Sequence, residues 1–171
     1  AEASSLPYTG HPTADRVLEQ YRALPGKPYI PVPIQTLRFL EIFLARNAPF
    51  LNLAGDLGFT EPVNFRSKPP FIFGDYMAYY TNFHMVGELF KDHGGSAQFQ
   101  ANNDPHFSTV AFLKAGEGRD FSDTEHCART HLRDVTPYDS YCVIKSLRRD
   151  VEKASYRQIE SWLRLGKLDV S

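Results

Sequence analysis

Twelve prolines and eleven glycines divide the 171 residues into short stretches, and that punctuation limits what the chain can build. Proline fixes φ and lacks an N–H, so it cannot sit inside a regular helix or a central strand. Glycine marks the left-handed exits of helices and turns. No run of about 18 apolar residues lies between the breaks, so no stretch reads as a membrane-spanning helix.

Apolar residues within these stretches recur at three and four positions, the spacing of a helix with one buried face. After Pro12, Thr13 is a candidate cap for a helix bearing Val17, Leu18 and Tyr21, closed by Pro25-Gly26. Pro33 suits the first turn of a second helix, whose stripe is Ile34, Leu37, Leu40, Phe43 and Leu44, with Pro49 beyond it. Phe50 to Phe59 reads as one or two helical turns. Asp75 opens a third helix bearing Tyr76, Tyr79, Tyr80, Phe83, Val86, Leu89 and Phe90, which leaves through Gly94-Gly95. Asp104-Pro105 opens a fourth with Phe107, Val110, Ala111 and Leu113. Ser122 and Glu125 have the S-x-x-E spacing of a capping box. Thr136-Pro137 and the segment around Tyr156, Ile159, Trp162 and Leu163 complete the series.

No segment alternates apolar and polar residues long enough to demand a strand. The expected fold is therefore all-α: about seven short helices in stacked antiparallel hairpins, each pair burying its apolar face against the next. Residues 1–12 read as an extended N-terminal arm and 13–171 as one helical-repeat domain. Lys27 to Pro33, with prolines at 28, 31 and 33, reads as a stiff polyproline-like connector.

Charge narrows the function classes. Lys and Arg number 19 against 20 Asp and Glu, a formal net charge of −1. A chain with no basic excess lacks the phosphate-neutralising track on which nucleic-acid binding rests. Arg129, Arg133, Lys145, Arg148, Arg149, Lys153, Arg157 and Arg164 are interleaved with acids, as on solvated helix faces. Cys127 and Cys142 form no CxxC or Cys/His metal spacing and read as reduced thiols. His126 and His131 lie five apart and do not share a helix face. Asp92-His93-Gly94-Gly95 reads as a helix end, and Asp104 before His106 as a cap rather than a catalytic pair. No phosphate loop, nucleophile elbow, zinc-helix or dinucleotide motif occurs. No catalytic, cofactor or metal residues are assigned.

Three segments favour a protein partner: the arm, the connector at 27–33 and the loop at 60–74. Tyr29, Ile30, Val32, Phe65, Phe71 and Phe73 are more aromatic and aliphatic than free loops usually are, and interface cores are rich in such side chains. The same residues folded back over the chain's own helices is the competing reading.

The last 35 residues resemble a pentatricopeptide repeat. Pro137-Tyr138-Asp139-Ser140-Tyr141-Cys142-Val143-Ile144 matches the first helix, Ala154 the early alanine of the second, and Gly166 the terminal glycine. Phe107 to Val135 repeats the theme through Phe112-Leu113-Lys114-Ala115-Gly116, Ala128 and Leu132. In size, near-neutral charge, seven-helix layout and N-terminal arm the chain is also similar to the helical-repeat accessory subunits on the catalytic F1 head of euglenozoan mitochondrial ATP synthases. That resemblance implies a non-catalytic subunit docked on an α subunit in the mitochondrial matrix, its targeting peptide removed; a first residue of Ala1 fits processing, as it fits a trimmed start. The alternatives are a helical-repeat protein binding organellar RNA and a small metal or histidine enzyme using His84, His93, Asp104 or His106.

Overall fold

The computed structural model describes residues 9–25, 29–67, 69–100, 107–134 and 153–159. Along them lie four α-helices and seven strands, in the order of two helices, five strands, a helix, two strands and a last helix. Helix α1 (Pro12–Tyr21) carries proline in its first turn and is capped by His11, whose Nδ1 accepts from the Ala14 N–H. Its stripe of Thr13, Ala14, Val17 and Tyr21 is buried. Helix α2 (Ile34–Leu44) buries Leu37, Leu40 and Leu44, the i, i+3, i+7 face that its sequence spacing predicts. Helix α3 (Phe83–Asp92) is capped by Asn82, whose Oδ1 accepts from the Met85 N–H at 3.0 Å. Helix α4 spans Ser122–Asp134.

Strands β1 (Phe50–Asp56), β6 (Ser96–Phe99) and β7 (Ser108–Lys114) form an antiparallel sheet in the order β1-β7-β6. The register sets Asn52 and Ala97 beside Phe112, and Ala54 and Phe99 beside Val110. Cross-strand neighbours share a face, so these residues line one side of the sheet. They meet α3, with α1 and α2 beyond, in a core that includes Val17, Tyr21, Leu37, Leu40, Met85, Leu89 and Phe90. A line of stacked rings runs through it: Phe43 on Phe50 at 5.4 Å, Phe50 on Phe90 at 5.9 Å, and Phe90 on Phe112 at 5.1 Å between centroids. The other face carries Ala111 and Leu113, also buried. Helix α4 lies against β6 and β7 on that side, where the Glu125 carboxylate accepts from the Ser96 hydroxyl.

Two small ladders extend the structure. Strands β2 (Gly58–Phe59) and β5 (Thr81–Asn82) pair in parallel, and β3 (Phe71–Phe73) and β4 (Tyr76–Ala78) form an antiparallel hairpin. A 3₁₀ segment at Pro62–Ser67 joins β2 to that hairpin.

The architecture is mixed α/β, which corrects the expected all-α stack of helical hairpins. The decisive segment is β7. A central strand buried on both faces is apolar throughout, and such a run shows no period-two alternation. Val110-Ala111-Phe112-Leu113 is buried at all four positions, and Val and Phe fit a pleated strand well. Phe50 to Asp56 is a strand for its edge, not a helical turn. Asp75 opens no helix: Tyr76 to Ala78 is a strand, and α3 begins only at Phe83.

The Phe107–Val135 repeat therefore has a strand where a first helix is required. The other repeat-like stretch, 137–166, lies outside the described residues apart from 153–159. The expected seven-helix repeat layout is thus corrected over Phe107–Val135.

Candidate partner-binding surface

Phe73-Gly74-Asp75-Tyr76 is a two-residue turn in which Phe73 pairs with Tyr76. Gly74 adopts φ +60°, a conformation that glycine takes without steric cost. Two apolar strands are thereby folded back on each other. Ile72 pairs with Met77, so both point to one side of the ribbon. Their exposures are 77% and 62%, and those of Tyr76 and Tyr79 are 79% and 57%. The only formal charge between Pro69 and Tyr80 is Asp75, at the turn.

The base of the hairpin is fixed to the core by rings. Phe71 lies 5.3 Å from Tyr80, Tyr80 4.7 Å from Phe59, Phe59 5.3 Å from Phe65, and Phe65 6.1 Å from Tyr21. Aromatic pairs at such centroid distances add to the burial of their own area. The hairpin thus presents apolar side chains outward while its root is tied through Phe65, 1% exposed, to α1.

The aromatic and aliphatic residues expected to meet a partner are divided by this arrangement. Tyr29 is exposed. Ile30 and Val32 are half-buried and pack on the core, and the Pro31 carbonyl accepts from Asn82 Nδ2 at 3.2 Å. Phe65 is fully buried and Phe71 half-buried against Tyr80. Phe73 takes its place in β3, and its side chain lies outside the description. Of the arm, residues 9–11 are described: the Thr9 N–H and hydroxyl both donate to Asp15 Oδ1 at 2.8 Å, fastening it to α1. The expected helical stripe takes in Tyr76 and Tyr79, and the expected partner residues include neither Ile72 nor Met77. The signal for them is Gly-Asp between two apolar runs, which is a hairpin pattern.

The polar groups are arranged for structure. The Tyr21 hydroxyl lies 3.2 Å from Asn82 Oδ1 and 2.8 Å from His84 Nδ1. Burial pushes the Tyr21 phenol far above its ordinary range and holds the His84 imidazole below 6.5, with Glu88 pulling the latter partly back. Burial works against the Glu88 carboxylate too, yet hydrogen bonds from Lys91 and Arg16 outweigh it and keep its pKa below 4.5. Arg16 also pairs with Asp92 at 2.8 Å, and the Thr13 hydroxyl donates to Asp92 at 2.6 Å. These contacts join α1 to α3. His93 is the C-cap of α3, while Asp104 and His106 lie outside the described residues, as do Cys142 and Trp162. Cys127 is an exposed free thiol on α4.

An open cavity of about 240 Å³ lies between Gly95, Ser96, Leu113, Arg119, Phe121 and Glu125. Its carboxylates are engaged: Glu125 with Ser96, and Asp120 with the N–H and hydroxyl of Ser122. Asp120, and not the Ser122–Glu125 box, therefore caps α4. Among the described residues no group of three or more His, Cys, Asp or Glu could hold a metal ion, and no helix is long and apolar enough to cross a membrane.

No protein-family model, curated protein or solved structure matches the chain.

Proposed function

We propose that this chain is a non-catalytic, protein-binding subunit of a larger assembly, and that hairpin β3–β4 is the element it inserts into its partner. The observation that carries this reading is the exposure of Ile72, Met77 and Tyr79 on one side of the ribbon and of Tyr76 on the other, on a hairpin anchored by Phe71 and Tyr80. Monomeric proteins rarely leave contiguous apolar surface of more than a few hundred Å² uncovered, and larger patches mark interaction sites. Tyrosine and methionine are also enriched at interface cores.

The chemistry favours a protein cleft over a lipid surface. A membrane-anchoring ribbon is assisted by basic residues facing anionic headgroups, whereas the hairpin tip carries Asp75. The expected partner is a protein with an apolar groove and a basic residue at its far end, placed to meet that carboxylate.

The test is purification of the tagged chain from its native source, followed by native mass spectrometry. The wild type should carry a defined partner at fixed stoichiometry. Ile72→Ser/Met77→Ser, which alters only exposed side chains, should lose that partner while folding normally. Retention of the same partner by the double variant would remove the hairpin from the interface.

A further inference from the structure

Strand β1 is an edge of the three-stranded sheet, and the direction of its backbone groups follows from one hydrogen bond. The Gln100 N–H donates to the Thr109 carbonyl at 3.2 Å. Odd-numbered residues of β7 therefore turn their backbone groups toward β6, and the even-numbered Val110, Phe112 and Lys114 turn theirs toward β1. Their partners there are Ala54, Asn52 and Phe50. The N–H and carbonyl groups of Leu51, Leu53 and Gly55 consequently point off the sheet, and no backbone hydrogen bond among the described residues takes them up.

This free edge has definite ends. Pro49 precedes it, and beyond it the Leu57 carbonyl accepts from the Thr81 N–H at 2.8 Å. Leu51 and Leu53 also expose their side chains, at 46% and 66%. Soluble proteins usually blunt such an edge with lysine, proline or a bulge. Phe50 to Gly55 contains none of these.

The charges around the strand are arranged by sign. Arg46 and Lys114 stand at its N-terminal end, where Lys114 pairs with Phe50 and its ammonium donates to the Leu44 and Arg46 carbonyls. Asp56 stands at its C-terminal end. None of the three is in an ion pair among the described residues. An antiparallel partner strand of the same kind brings opposite charges together at both ends, whereas a parallel one stacks like on like.

We propose that the occupant of this edge is a second copy of the chain, its β1 added antiparallel across a two-fold axis at Asn52. Leu51 of each copy then faces Leu53 of the other, and Asp56 of each lies beside the Arg46 and Lys114 end of the other. Two three-stranded sheets become one of six strands. Only residues whose backbone groups point outward exchange hydrogen bonds in this register, as an antiparallel ladder requires. A two-fold axis at Leu53 would instead set Leu51 against Gly55 and leave less apolar contact. Edge pairing buries less than the ~1,200 Å² of a standard interface, so the dimer forms reversibly with concentration. It uses a different surface from hairpin β3–β4, so the two stand or fall separately.

The test is sedimentation equilibrium of the full chain from about 1 μM to about 500 μM, a range bracketing the weak affinity that so small an interface implies. The wild type should shift from monomer to dimer across it. Leu53→Lys, at an exposed position, should stay monomeric with an unchanged circular dichroism spectrum. In a Cys127→Ser/Cys142→Ser background, Asn52→Cys should form a disulfide-linked dimer on mild oxidation, because facing residues in a non-hydrogen-bonded pair lie about 4.5 Å apart at Cα. Leu53→Cys in that background should not. A wild type that stays monomeric throughout, a Leu53→Lys variant that dimerises equally well, or cross-linking through Leu53 in preference to Asn52 would overturn the proposal.

Discussion

The Tyr21 hydroxyl lies 2.8 Å from His84 Nδ1, so the last turn of α1 is tied to the first turn of α3 by a polar contact at the edge of the core. Asn82, fully buried, accepts from the same hydroxyl and caps α3. Tyr21→Phe keeps the ring against Phe65 and removes only the oxygen. It should destabilise by roughly 1–3 kcal/mol, the cost of leaving buried polar partners short of a bond, read as a lower urea midpoint at unchanged slope. A change near zero would place the hydroxyl in contact with water.

The same pair sets a pH dependence. His84 is held below 6.5 in the folded chain, chiefly by burial. Between 6.5 and that lower value the unfolded chain binds more protons, so stability falls as pH drops through this window and the loss levels off beneath it. Glu88 has the ordinary sign for a carboxylate: its contribution is present above 4.5 and is lost as pH falls further. Urea midpoints should therefore decline as pH falls below about 6.5, and His84→Gln should flatten that portion while leaving the acid limb. An unaltered profile in His84→Gln would assign the decline to another group.

Close packing between α3 and β7 gives a third expectation. A Cβ on Gly95 would stand 2.5 Å from the Leu113 carbonyl oxygen and 3.0 Å from that of Phe90. Both are backbone atoms and neither can swing aside. Gly95→Ala should cost about 1–3 kcal/mol through overpacking, and Phe112→Ala about 3–5 kcal/mol through the cavity it leaves. Leu53→Ala, at an exposed position, should stay within about 0.5 kcal/mol of wild type. Chemical denaturation of the three variants checks the order.

The sequence carries the one-faced helices plainly. Ile34, Leu37, Leu40 and Leu44 repeat with a helical period and form α2, and Val17 and Tyr21 do the same for α1. It hides the sheet, because a strand covered on both faces loses the alternation that would reveal it. Val110 to Leu113 matches a helical stripe as readily as a strand. Local capping signals mislead where tertiary contacts compete: Glu125 has the spacing to cap α4 but bonds to Ser96 instead. Asp75 resembles a helix cap, yet Gly74 beside it takes a positive φ and turns the chain back as a hairpin. The aromatic richness of the 60–74 loop and of the Tyr76, Tyr79 and Tyr80 stripe is legible as packing surface. Its division into inward Phe65 and outward Tyr76 depends on strand register, which composition does not encode.

The central claim is that hairpin β3–β4 is covered by a partner protein in the native assembly. Hydroxyl-radical footprinting with mass spectrometry, on the isolated chain and on the chain within its purified assembly, measures that directly. Met77, Tyr76 and Tyr79 should oxidise readily in the isolated protein and be protected several-fold in the assembly, while exposed Cys127 on α4 serves as the reference. Equal oxidation of the three hairpin residues in both states would contradict the claim.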